Sequence, residues 1–227
     1  MTTLTLHDGS AAFDVTRLEA VNPTRVVLFG VGRGGDPRRH LPLLTELAKR
    51  GCTVVAPHFE MLAPTPADED LLLRARRLTL ALATAESGAP LAGVGHSIGA
   101  TLLLALAGGQ LWTRAGTQLQ IAACPRLDRL VLLAPAAGFV LAPGALDRVR
   151  APVLAWAGSQ DNVAPPAQLE LVQQSMEERC PFDLRVVEGA GHFSFMDAPP
   201  PQTIEPLADR LNFLRDLADE VARFVTS

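Results

Sequence analysis

Short apolar runs, most of them followed by a capped helical stretch, predict an α/β fold. Its sheet is mostly parallel and twisted, with about eight strands and helices on both faces. The runs are Arg25–Phe29, Thr53–Ala56, Leu91–Gly95, Leu130–Ala134, Pro152–Ala157 and Leu184–Val187. They lack the polar alternation of a half-solvated strand, as expected for strands covered on both faces. The chain has 227 residues, 48% hydrophobic and 19% charged, with a mean hydropathy of +0.20. That is enough apolar surface for a large core and gives no compositional sign of disorder, so one domain spanning residues 1–227 is expected.

Each element has local signals. Leu4 and Leu6, the Asp8-Gly9 turn and Ala11 to Val15 read as a hairpin at an antiparallel sheet edge. After the first buried run, Asp36 and Pro37 can open a helix whose Leu41, Leu44, Leu47 and Ala48 share a face, and Gly51 ends it. A second helix is predicted from Pro66 to Ser87, with Thr65 as N-cap and Asp68, Glu69 and Asp70 near its positive end. A third runs from Ile98 to about Ala107, and a fourth from Pro166 to Arg179 with Leu169, Val172 and Met176 inward. The last, about Glu205 to Val225, places Leu207, Leu211, Leu214, Ala218, Val221 and Val225 on one stripe. Gly109 to Arg126 reads as irregular, without an assigned role, and Ala137 to Ala151 is too short for a separate lid domain.

Several classes are disfavoured. The net charge of −4 with scattered basic residues gives no footprint for nucleic acid. Cys52, Cys124 and Cys180 lack metal or redox spacing and read as reduced thiols. The N-terminal residues show no secretory leader and Leu130 to Leu146 is broken by Pro135, Gly138, Pro143 and Gly144, so no membrane anchor and a cytoplasmic location are expected. Oligomeric state is not legible.

The chemistry gathers at three places. Gly95-His96-Ser97-Ile98-Gly99 has the form G-x-S-x-G between a predicted strand and a predicted helix, the context in which it lifts a nucleophilic serine above a sheet. An ordinary glycine-rich turn is the plainer alternative. A serine hydroxyl needs a base, and the base needs a partner to hold its tautomer. Asp161 in Gly158-Ser-Gln-Asp and His192 in Gly189-Ala-Gly-His each follow a predicted strand, so both belong at the edge that carries Ser97. Read singly they are a turn carboxylate and a loop histidine; their order and placement favour a triad. Asp128 and Asp147 are fallback acids at the wrong end of their strands.

Oxyanion donors are expected from backbone N–H groups of Ile98 and of Val31, with Gly32 as alternative to Val31. Gly30, Gly32 and Gly35 also satisfy G-x-G-x-x-G, as in a dinucleotide fold, but that reading leaves Ser97, Asp161 and His192 unexplained. Gly32, Arg33, His58 and Phe193 are possible pocket residues, Arg33 facing an anionic substrate group or only solvent. His96 reads as a packed strand-end residue, and His7 and His40 as surface residues.

On these motifs the chain resembles the α/β-hydrolase superfamily, from Arg25-Val-Val-Leu-Phe-Gly to the final helix. Gly-Ser-Gln-Asp-Asn-Val-Ala-Pro and Gly-Ala-Gly-His-Phe-Ser-Phe resemble the acid and histidine loops of dienelactone-hydrolase-like small esterases. The chain departs from that group in two ways. It has serine where true dienelactone hydrolases carry cysteine, and phenylalanine in place of the usual histidine of the oxyanion loop. The resemblance implies hydrolysis of small ester-like substrates with no metal or organic cofactor. Acyl transfer or thioester cleavage by the same triad, and a non-catalytic binding protein of this fold, are the alternatives.

Overall fold

The structure is a computed structural model that describes residues 1–85 and 88–227. Eight strands form one sheet in the order β1-β2-β4-β3-β5-β8-β9-β10. They are β1 (Thr2–Asp8), β2 (Ala11–Leu18), β3 (Arg25–Gly30), β4 (Cys52–Pro57), β5 (Leu91–His96), β8 (Leu127–Leu133), β9 (Val153–Gly158) and β10 (Phe182–Val187). β2 runs antiparallel to both β1 and β4, and the remaining pairings are parallel. The predicted hairpin is therefore the sheet's antiparallel edge. The segment that read as irregular holds a two-stranded hairpin, β6 (Leu111–Trp112) with β7 (Gln118–Leu119).

The runs without polar alternation work as the pleat demands, sending alternate side chains to two separate cores. Val26, Leu28, Leu91, Leu130, Leu132 and Val153 face α2 (Asp68–Leu82), α3 (Ile98–Leu106) and α4 (Pro166–Met176). Val27, Phe29, Val94, Val131, Leu133 and Leu154 face α1 (Leu41–Lys49) and α5 (Arg210–Thr226). All nine residues of α3 are buried. No helix among the described residues is long and apolar enough to cross a membrane.

Four local expectations are corrected. Asp36 caps a 3-10 turn, Pro37–His40, that leads into α1, its side chain accepting the Arg38 N–H at 2.9 Å. Thr65 is not the cap of α2; the chain bends at Pro64 and Thr65, Pro66 disfavours helical backbone at the residue before it, and the helix starts after Ala67, whose N–H donates to Asp70 at 3.2 Å. The predicted end of that helix at Ser87 lies outside the described residues; α2 passes at Leu82 into a 3-10 turn, Ala83–Ala85. The last helix begins five residues later than its stripe suggested, because Glu205 is drawn to Ser194 and Pro206 packs over Gly191. Leu211, placed on the buried stripe by periodicity, is 76% exposed, while Leu214, Leu217, Val221 and Val225 are buried.

Candidate active site

β5 delivers the chain to Ser97 at the sheet's carboxyl edge, and α3 leaves from it. Ser97 has φ 54° and ψ −130°, a conformation costing about 1–3 kcal/mol that persists only where neighbours over-determine it. Here the Ser97 N–H donates to the Leu133 carbonyl at 2.9 Å and its carbonyl accepts from the Thr101 N–H at 3.3 Å. Glycines flank the serine because nothing larger fits. A Cβ on Gly99 would lie 2.2 Å from the Gly30 carbonyl oxygen, and one on Gly95 would lie 2.8 Å from the Ala100 nitrogen. A Cβ on Gly30 would in turn lie 2.6 Å from the Gly99 carbonyl oxygen, which accounts for the opening residue of the G-x-G-x-x-G pattern without a nucleotide.

β9 and β10 supply the partners. Asp161 follows β9, and its Oδ1 accepts the Val163 and Ala164 N–H groups at 2.8 and 2.7 Å. Its Oδ2 lies 2.8 Å from His192 Nδ1. His192 Nε2 lies 3.0 Å from Ser97 Oγ. The buried carboxylate accepts only, so Nδ1 carries the proton and the Nε2 lone pair receives the serine hydroxyl. Ser97, Asp161 and His192 are thus brought together, although 64 and 31 residues separate them along the chain, Asp161 lying between. The Asp161 side chain is 0% exposed and that of His192 6%.

Residues that the motifs did not reveal brace this array. Ser194, fully buried, accepts the Gly191 N–H at 2.8 Å and donates to Glu205, fastening the turn that presents His192. The only hint of this was a serine two residues past the histidine. The Gln160 N–H donates to the Ala190 carbonyl at 2.9 Å and ties the acid loop to the histidine loop. His96 is packed at its strand end as expected, its Nε2 2.9 Å from the His192 carbonyl oxygen.

His40 is not a surface residue. It is 1% exposed, its ring 5.0 Å from that of Phe29 and 5.3 Å from that of His96, which in turn lies 5.0 Å from the His192 ring. Burial pushes the His40 pKa down to about 3 and holds that of His96 well below the ordinary histidine value, the neighbouring histidines adding to the effect. Both are therefore neutral rings near pH 7. His7 is exposed, as expected.

A chiefly apolar cavity of about 380 Å³ opens over Ser97. Val31, Gly32, Arg33, Ile98 and Phe193 all border it, together with Met196. His58 does not. The antiparallel strand β2 captures it, Thr16 Oγ1 lying 2.7 Å from its Nε2 and the Asp14 carbonyl accepting its N–H at 2.8 Å. A larger open groove of about 920 Å³ between α1 and α5 contains none of the three central residues.

No family model matches the chain, and no curated protein matches its sequence. Solved structures do. Esterase 2 of Thermogutta terrifontis, in a form phosphorylated by paraoxon, superposes with a TM-score of 0.66 at 17% identity, covering 97% of this chain and 92% of its own. A predicted CIB-like hydrolase from Thermoplasma acidophilum gives 0.63 at 16% identity, with 98% of each chain covered. A candidate alpha/beta hydrolase of unknown function from Agrobacterium tumefaciens gives 0.68 at 15%, covering 98% of this chain and 95% of that one. With a mostly parallel eight-stranded sheet wrapped by helices, and matched over nearly its whole length by these structures, the chain has the α/β-hydrolase fold.

Proposed function

We propose that this protein is a serine hydrolase that cleaves carboxylic esters of small substrates through an acyl-enzyme on Ser97. The observation that carries the proposal is the continuous hydrogen-bonded chain Ser97–His192–Asp161, with its serine end open to a cavity and its aspartate end closed. Ser97 Oγ attacks the substrate carbonyl while His192 Nε2 takes its proton. Asp161 stabilises the resulting imidazolium and holds its orientation. The tetrahedral oxyanion rests on the Ile98 N–H, at the positive end of α3, and on the Val31 N–H, both of which border the cavity. His192 then protonates the departing alkoxide, and water, deprotonated by the same imidazole, releases the acid.

A cavity of about 380 Å³ is within the range of small-molecule sites, which suits short acyl groups. The esterases among the structural neighbours support ester hydrolysis as the reaction. p-Nitrophenyl esters of increasing acyl length, assayed with the parent and with Ser97→Ala, test it. Turnover should peak at short chains and fall by several orders of magnitude in Ser97→Ala. Paraoxon, which phosphorylates the Thermogutta esterase, should release one p-nitrophenolate per chain and leave its phosphoryl group on Ser97. Undiminished turnover in Ser97→Ala, or a label on another residue, would reject the assignment.

A further inference from the structure

Arg74, on α2, is among the largest fully buried side chains of the protein, at 1% exposure. A guanidinium taken out of water loses several kcal/mol of solvation, which a carboxylate usually restores. Here the partners are backbone carbonyls: Nη1 donates to the Gly32 carbonyl at 2.8 Å, and Nη2 to those of Arg33 at 3.0 Å and Glu60 at 2.6 Å. The ring of Phe59 lies under the guanidinium, 4.8 Å away. Burial brings the pKa of Arg74 down to about 10, which leaves it charged at neutral pH.

All three carbonyls belong to loops with no ladder of their own, and two of them to the loop proposed above to carry an oxyanion donor. Gly32 is packed against the reacting groups, since a Cβ on it would lie 3.4 Å from Ser97 Cβ and 3.0 Å from His96 Nδ1. The two loops are also stitched without Arg74: the Phe59 N–H donates to the Gly35 carbonyl at 2.9 Å, the Leu62 N–H to that of Arg33 at 3.1 Å, and Arg33 Nε to that of Leu62 at 2.7 Å. Those bonds join the loops' outer residues. At Gly32, the residue next to Val31, the carbonyl is held by Arg74 and by the Gly35 N–H, 3.1 Å away. Arg74 does not border the cavity.

From this placement we propose that Arg74 is a positioning residue for ester hydrolysis. Its buried guanidinium clamps the Gly32 carbonyl, so that the 31–33 backbone presents its N–H to the oxyanion before the reaction begins. The proposal rests on the hydrolase reading of Ser97. An aimed donor stabilises the transition state more than the ground state. Loosening it therefore lowers kcat and leaves KM nearly unchanged. Lysine keeps the charge but, as a single ammonium, cannot span three carbonyls in the same fork.

The test compares the parent, Arg74→Met, Arg74→Lys and Ser97→Ala on a p-nitrophenyl ester, with the rates of the parent and the Arg74 variants expressed per site counted by p-nitrophenolate release from paraoxon and that of Ser97→Ala per mole of folded chain. Counting sites removes the effect of any unfolded fraction. Arg74→Met should lose about 10- to 100-fold in kcat, the scale of a displaced catalytic group, with KM within about threefold of the parent. Phosphorylation by paraoxon should slow in parallel, and Arg74→Lys should fall between. An Arg74→Met kcat per site within twofold of the parent overturns the proposal, as does a raised KM at unchanged kcat. Should Arg74→Met fail to fold, Arg74→Lys decides on the same criteria. Loss of turnover in Ser97→Ala without loss in the Arg74 variants refutes the clamp alone. Full turnover in Ser97→Ala removes the hydrolase assignment, and the clamp with it.

Discussion

His96 Nε2 lies 2.9 Å from the carbonyl oxygen of His192, so the residue before the serine holds the backbone of the residue proposed to accept the serine's proton. The two loops meet through this bond in the interior, where its loss is not repaired by water. His96→Phe keeps the ring volume and removes the donor. It should cost about 1–3 kcal/mol of stability and lower kcat/KM by about tenfold, measured by denaturant titration and ester turnover. A loss of stability with unchanged turnover would show that the bond serves packing only.

Asp161 offers a sharper separation of chemistry from folding. Its Oδ1 accepts two backbone N–H groups and its Oδ2 faces His192 Nδ1. An asparagine would keep its oxygen toward Val163 and Ala164, and would turn its NH₂ toward the imidazole. That forces the proton onto Nε2, where a lone pair is needed. Asp161→Asn should reduce kcat roughly 10³- to 10⁴-fold with little change in melting temperature.

Buried His40 predicts an acid limb of stability. Its folded pKa of about 3 lies below the unfolded value, so the unfolded chain binds a proton that the folded chain refuses. Stability is full above about pH 6.5 and falls as the pH drops toward 3, by about 2 kcal/mol from this residue between pH 7 and pH 5. Urea titrations at the two pH values should show at least that loss, because buried His96 adds to it, and His40→Phe should make the slope shallower by the His40 share. An identical slope in the variant would contradict the burial of a neutral ring.

Gly99→Ala would place a methyl group 2.2 Å from the Gly30 carbonyl oxygen. The methyl would press from the first turn of α3 on the backbone at the end of β3, so neither element can yield cheaply. A loss of at least about 3 kcal/mol is expected, seen as a fall in denaturation midpoint or in soluble yield. Leu211→Lys, at a 76% exposed position, should stay within about 0.5 kcal/mol of the parent.

Features whose causes are local were legible in the sequence. Five of the six parallel strands announce themselves because both faces are covered, whereas β10 is the far edge of the sheet and holds no buried residue; Gly95, Ser97 and Gly99 stand out because the turn admits no other flanking residues. Asp161 and His192 followed from the parallel sheet, which gathers the loops after its strands on one rim. What escaped depends on partners remote in sequence. His40 is buried by Phe29 and His96, and His58 is claimed by Thr16 on β2, whose pairing with β4 the pattern did not name. Leu211 matched the stripe, but it stands in the first turn of a helix that begins only at Arg210, at the open groove between α1 and α5 that leaves it uncovered. Arg74 sits on an amphipathic helix, where arginine ordinarily means solvent, and only the loops folded over it show otherwise.

The helix α3 has no side turned to water, and it begins at the reacting serine. Its amides should be among the last in the protein to exchange with deuterium, while the proline-bearing segments 61–66 and 196–201, which border the cavity, should exchange early. On the proposed reading, arrival and departure of substrate would fall to that rim, above a helix held on every side. Adaptation to a bulkier ester would have to proceed by altering that rim.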